Sequence, residues 1–151
     1  MTASAPTFHV SAEDTDGEFL LMELSGPHPG ASPHYHEYTT ELFFMLEGSS
    51  TVTVGEHERT IGPGESALVP PNTVHSFTEL DDEQCRMLAL VSPGEFEEYF
   101  REIVEFLGPE GWPPDDIDRF REFQAALAER HDIYEPPVGT ADEAESSSRD
   151  A

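Results

Sequence analysis

Between residues 19 and 91 the chain is cut into short apolar segments by turns bearing Gly and Pro, and this punctuation restricts its fold more than any other feature. The segments 19–24, 42–46, 51–54, 58–61, 66–69, 74–80 and 84–91 are separated by Gly26-Pro27-His28-Pro29-Gly30, Glu47-Gly48-Ser49, Gly62-Pro63-Gly64 and Pro70-Pro71-Asn72, among others. Pieces this short, bounded by turn residues and rich in β-branched and aromatic side chains, suit strands and are too brief for ordinary helices. Many such strands in succession predict an all-β sandwich or barrel. Within it, 42–46, the turn at Glu47-Gly48-Ser49 and the alternating Thr51-Val52-Thr53-Val54 read as a hairpin.

The pattern changes at Ser92. Ser92 followed three residues later by Glu95 has the form of a capping box, with Pro93 at the first helical position, where its missing N–H costs nothing. Phe96, Tyr99, Phe100, Ile103, Val104 and Leu107 then recur at spacings of three and four and stop at Gly108, which predicts one amphipathic helix. A second stripe carries Ile117, Phe120, Gln124 and Leu127 and ends before Pro136-Pro137. Both stripes read as packing surfaces, against the sheet or a partner subunit. The expected organisation is a loose N-terminus over 1–17 with one short strand near 8–10, a β-barrel over 18–92 and a helical extension over 93–135. A disordered acidic tail follows over 136–151, where Ala, Asp, Glu and Ser leave little to bury.

Four residues of the first half carry the chemistry. His34 and His36 flank a single residue, so on an extended segment both imidazoles project from one face. Glu41 stands just before the apolar run 42–46 and His75 follows a Pro-rich turn, so a site built from all four must close across three strands. Three imidazoles and a carboxylate suit a first-row divalent ion, and they contain the two-His-one-carboxylate set used by non-haem iron oxygenases. Iron is the leading expectation, with manganese, nickel, zinc and copper as alternatives because donor type does not select one metal. Glu41 has a second expected role as a base. Alternation from Glu41 and His75 turns Phe43, Met45 and Phe77 inward, to line a substrate pocket or to fill the core. Tyr35 and Tyr38, beside the ligands, either offer a hydroxyl to a substrate or face outward. His9, His57 and His131 read as solvated, and His28 as a residue of the rim.

Length and charge restrict the rest. A chain of 151 residues suits one domain with a real core. The single Cys85, in an apolar stretch, reads as a small buried hydrophobe in a reducing compartment. Without a signal-like start or an apolar stretch near the roughly 20 residues that cross a bilayer, the expectation is a cytoplasmic protein with no membrane partner. Asp and Glu number 32 against 7 basic residues, for a formal net charge of −25. That charge opposes contact with nucleic acid or anionic lipid. Its spread along the whole chain predicts a halophilic source, since in molar salt the screening length falls to about 3 Å.

The stretch from Gly26 to Glu79 resembles the cupin superfamily. Its first motif is matched by His34, His36, four intervening residues, Glu41, six more and Gly48, with His28 where the leading Gly would stand. Gly64, Pro70 and His75 fit the second motif, in which Asn72 replaces a Gly and Glu79 an Asn. Asn tolerates the left-handed backbone better than most residues, so the first replacement is mild. The passage from Val91 into the helix is similar to the extension of small single-domain cupins related to quercetin dioxygenases. The resemblance implies a double-stranded β-helix (jelly-roll) barrel with a C-terminal helical extension, a metal held by His34, His36, Glu41 and His75, and a homodimer. It further implies a metal-dependent, dioxygenase-like enzyme for a small oxygenated organic molecule. A non-catalytic ligand-binding or storage protein and a metal-dependent isomerase or lyase are the alternatives.

Overall fold

The computed structural model of the protein describes residues 5–137. Nine strands form two facing sheets, and every pairing between them is antiparallel. The first contains β1 (Thr7–Val10), β2 (Leu20–Ser25), β4 (Thr40–Glu47), β7 (Ser66–Val69) and β9 (Arg86–Ser92), in the order β1-β2-β9-β4-β7. The second contains β3 (Ala31–His34), β5 (Ser50–Val54), β6 (His57–Ile61) and β8 (His75–Phe77), in the order β3-β8-β5-β6. Two helices follow, α1 (Glu97–Leu107) and α2 (Ile117–Ala128).

Alternation places the core between the sheets. In β2, β4 and β9 every second side chain is buried: Leu20, Met22 and Leu24; Glu41, Phe43 and Met45; Met87, Ala89 and Val91. Val52, Ile61, Ala67, Val69 and Phe77 join the cluster from β5, β6, β7 and β8. Cys85 is buried within it, and desolvation raises its thiol pKa, so it packs as a small hydrophobe. No helix among the described residues is long and apolar enough to cross a membrane.

The expected hairpin between β4 and β5 does not form. β4 pairs with β7 and β9, whereas β5 pairs with β6 and β8, so the turn between them carries the chain from one sheet to the facing one. Gly48 makes this crossing at φ +79, and a Cβ there would lie 2.7 Å from Cys85 Sγ. A turn that changes sheets has the same local composition as one that reverses within a sheet; which occurs depends on the partners found elsewhere. β5 instead forms its hairpin with β6.

The first α-helix starts later than expected. β9 runs through Ser92, whose hydroxyl donates to the Glu18 carbonyl at 2.7 Å instead of capping a helix, and a 3-10 turn over Gly94–Phe96 precedes α1. The apolar stripe of α1 is used within the chain: Phe96 and Tyr99 join the core, with Phe100 and Ile103 packed against it. Of the two destinations expected for this stripe, the sheet and a partner subunit, it takes the chain's own core. The tail expected over 136–151 lies outside the described residues from 138 onward.

Candidate metal centre

The four expected ligands converge between the two sheets. His34 ends β3, His75 opens β8 opposite it in register, Glu41 sits on β4 of the facing sheet, and His36 lies two residues beyond β3. Each offers one donor atom within 4.8 Å of the others. The imidazole centroids are 4.2 Å apart for His34 and His75, 5.0 Å for His34 and His36 and 5.1 Å for His36 and His75. His36, Glu41 and His75 are 2%, 5% and 1% exposed, while His34 is half-buried.

Hydrogen bonding fixes which nitrogen of each ring faces the centre. The Nδ1 atoms of His34, His36 and His75 bond to the carbonyl oxygens of Ser32 at 2.7 Å, Asp132 at 2.5 Å and Thr73 at 2.9 Å. A carbonyl only accepts, so each Nδ1 is the N–H donor and each neutral ring turns an Nε2 lone pair inward. For His36 and His75 that Nε2 is buried without any hydrogen-bond partner, and it stands 3.3 Å from a Glu41 carboxylate oxygen. Lone pairs facing carboxylate oxygens at this distance repel unless a cation lies between them. The cation is either a proton shared with the imidazoles or a metal ion.

The charges agree with this arrangement. Burial acts to raise the Glu41 pKa, but His36 and His75 outweigh it and hold the carboxyl down, at about 2. Burial acts to lower His36, yet contact with Glu41 prevails and raises it. His34 is lowered to about 4 by burial and by the neighbouring His75. One carboxylate thus favours positive charge in a pocket that three clustered imidazoles cannot all supply as protons. A divalent ion meets that demand and satisfies the orphaned nitrogens, so the donor set fits a metal.

A segment that sequence reasoning left without a role closes one side. Beyond α2, the carbonyl of Asp132 holds His36, and its carboxylate accepts from the Glu37 N–H at 2.7 Å, the Tyr38 N–H at 2.8 Å and the Thr39 hydroxyl at 2.8 Å. Tyr134 pairs its backbone with Tyr35 in both directions at 2.9 Å, and Phe96 sets its ring edge-on to His36 at 5.0 Å. Asn72 adopts φ 60, the left-handed backbone that a Gly would otherwise supply, and donates its N–H to the His36 carbonyl at 2.6 Å.

The expected pocket residues separate into two groups. Phe43, Met45 and Phe77 face inward but are closely packed at 4%, 0% and 8% exposure, with Phe43 and Phe77 ring to ring at 5.3 Å. Tyr38 is 73% exposed, the outward-facing one of its two expected positions, and half-buried Tyr35 stacks on Tyr134 at 5.3 Å. His28 is not one of the four and stacks on Phe77 at 5.7 Å. His131, expected in solvent, is half-buried, bonds Glu102 at 3.1 Å and abuts Tyr99 and Phe96. No sequence signal marked Asp132, because its partners lie more than 90 residues away.

Comparison with known proteins agrees with the fold. Residues 20–91 match the cupin domain model. The chain is 40% identical over 92 residues to quercetin 2,3-dioxygenase of Bacillus subtilis (strain 168), covering 60% of this chain and 27% of that protein. It is 29% identical over 101 residues to quercetin 2,3-dioxygenase of Aspergillus japonicus, covering 62% and 29%. The chain therefore spans less than a third of the length of either relative. Among solved structures, KdgF from Halomonas sp. superposes with a TM-score of 0.51 at 18% identity, over 58% of this chain and 76% of that one, a likeness of fold alone. With paired antiparallel sheets, both motifs in place and four donors gathered between the sheets, the segment 20–91 matches the cupin domain in sequence and in architecture.

Proposed function

We propose that the protein is a metal-dependent, dioxygenase-like cupin enzyme acting on a small oxygenated organic molecule. The observation that carries this reading is the common direction of three imidazoles: each Nδ1 is engaged by a carbonyl, and the freed Nε2 atoms of His36 and His75 confront Glu41 with no partner of their own. The two quercetin dioxygenases among its relatives support an oxygenase over other uses of the same donors. A divalent ion held by His34, His36, Glu41 and His75 would supply Lewis acidity toward chelating oxygens and, as iron, reactivity toward dioxygen.

The protein's own groups define the rest of the reading. Glu41 contributes the anionic donor, and since both its oxygens face imidazoles it would serve as a base only on leaving them. His34, half-buried where the other three are enclosed, marks the side from which a small molecule approaches. Phe43 and Phe77, each two residues along its strand from Glu41 and His75, pack ring to ring in the apolar core beside them. The alternatives are a non-catalytic cupin that holds a small ligand and a metal-dependent isomerase or lyase. Their support is the outward position of Tyr38, which removes one candidate hydroxyl from the reaction site.

The test has two arms. Elemental analysis of the protein reconstituted anaerobically with iron(II) should give stoichiometric metal in the parent and a sharp loss in His75→Ala; undiminished metal in the variant would remove His75 from the ligand set. Oxygen uptake should then appear with a member of a flavonol, catechol and diketone panel. A loaded protein that consumes no oxygen across the panel would refute the oxygenase reading in favour of the alternatives.

A further inference from the structure

We infer that Asp132 is a positioning residue for the metal centre, holding His36 and the loop from Glu37 to Thr39 in the geometry that binding requires. The inference rests on the metal-binding reading above and adds a segment beyond the cupin domain to it. The connection from β3 to β4 carries His36 and leads to Glu41 on the facing sheet, and His36 itself lies outside any strand, so no ladder of β hydrogen bonds fixes its backbone. The single Asp132 residue supplies what the sheet does not. Its carbonyl accepts a hydrogen bond from the His36 Nδ1–H, and its carboxylate accepts from three donors on the residues between His36 and Glu41.

These four bonds act together. The carboxylate anchors residue 132 to the loop, and the anchored backbone presents its carbonyl to the imidazole, so the ring tautomer and the loop shape depend on the same group. Hydrogen bonds between an ionised carboxylate and backbone N–H donors are about twice as strong as neutral ones. Thr39 is itself buried, 1% exposed, and its hydroxyl finds its acceptor in this carboxylate. The paired backbones of Tyr35 and Tyr134 fix the segment on the other side of the ring. A partner of this kind orients a metal-binding imidazole and raises its basicity, and its loss typically costs about 10- to 100-fold in metal affinity.

The experiment uses the full chain with cobalt(II) as the probe. Affinity is measured by competition with a chelator, the ligand field by visible absorption, and the His36 ring in metal-free protein by long-range proton–nitrogen NMR at alkaline pH, where the ring is neutral. Asp132→Ala should lower cobalt affinity by about 10- to 100-fold, shift the absorption bands and abolish the single Nδ1–H tautomer of His36. Asp132→Asn, which keeps one accepting oxygen, should fall between. Asp116→Ala removes the cap on the Arg119 N–H at the start of α2, a loss of local stability with no path to His36, and should leave all three readouts unchanged. Parent-like affinity and spectra in both Asp132 variants, or an equal loss in Asp116→Ala, would overturn the inference.

Two outcomes are separated by design. If the parent binds no cobalt, the metal reading fails, and the NMR arm still decides the role of Asp132: the Nδ1–H signal lost in Asp132→Ala but kept in Asp116→Ala supports it, and a signal kept in both refutes it. If Asp132→Ala does not fold, Asp132→Asn and Thr39→Val, which deletes one of the three donors, are read in its place. An unchanged tautomer and affinity in both of these would equally overturn the inference.

Discussion

At the scale of single residues, the histidines of this protein differ by what their ring nitrogens touch. His28 accepts from the Gly30 N–H at its Nδ1, 3.0 Å away, and its ring stacks on Phe77, so it is built into the fold in the neutral form. Burial lowers its pKa to about 4. A histidine lowered in the folded state leaves the unfolded chain to bind the proton first, so its contribution is intact above about pH 6.5 and is lost as pH falls from there toward 4. His34 acts in the same direction, whereas His36, raised by Glu41, acts in the opposite one. The clean measurement is therefore a difference. His28→Phe, which retains a ring for the Phe77 stack, should flatten the acid-side loss of stability of metal-free protein by up to one proton, about 1.4 kcal/mol per pH unit. Parallel pH profiles of urea stability in parent and variant would show that His28 is not held neutral.

Among the elements, the two helices do the work that the sequence assigned only as packing. Both amphipathic stripes were legible because a helix repeats its buried face every three to four residues. Their destination was not, since a stripe carries no address. α2 lies on α1 through Leu127 and Phe120, both buried, and through the Gln124 amide donating to the Tyr99 hydroxyl at 3.1 Å. Phe106 stacks on Phe123 at 4.2 Å at the other end. Leu127, with no exposed surface, ties α2 into the same core as Phe96 and Tyr99. Leu127→Ala should therefore cost about 2–5 kcal/mol, the range for truncating a buried leucine. Equilibrium denaturation checks it, and a cost near that of an exposed site would detach α2 from the core.

For the whole molecule, charge is the dominant long-range term. With 32 acidic residues against 7 basic ones, most carboxylates have no cationic partner available. Three of the arginines make particular contacts: Arg86 bonds Glu23 at 2.7 Å, Arg101 bonds Glu97 at 2.6 Å and covers the Phe8 ring, and Arg119 stands over Phe106. Exposed pairs of this type contribute little, about 0–1 kcal/mol each, so they do not offset the repulsion among the remaining carboxylates. Unfolding moves like charges apart, and screening removes that advantage. Raising potassium chloride from about 0.1 M to about 1 M shortens the screening length from about 10 Å to about 3 Å, and the melting temperature should rise across this series. A flat or falling temperature would count against both electrostatic strain and the halophilic reading.

Features set by neighbours along the chain were readable from the sequence. The period of two that buries Glu41, Phe43 and Met45 together, the turn that Asn72 completes and the one-residue gap that aligns His34 with His36 follow from local geometry. Even the convergence of four ligands could be stated in advance, because motif spacing implies a known closure. What only the tertiary structure decided is which long-range partner each group meets. The turn at Gly48 changes sheets because β4 finds β7 and β9 while β5 finds β6 and β8, and Ser92 bonds Glu18 instead of capping α1. Asp132, 96 residues from His36, becomes its hydrogen-bond partner only after the extension folds back across the barrel. Local pattern determines how a segment is shaped and which face it must bury, whereas the surface that buries it is chosen by competition among all segments of the folded chain.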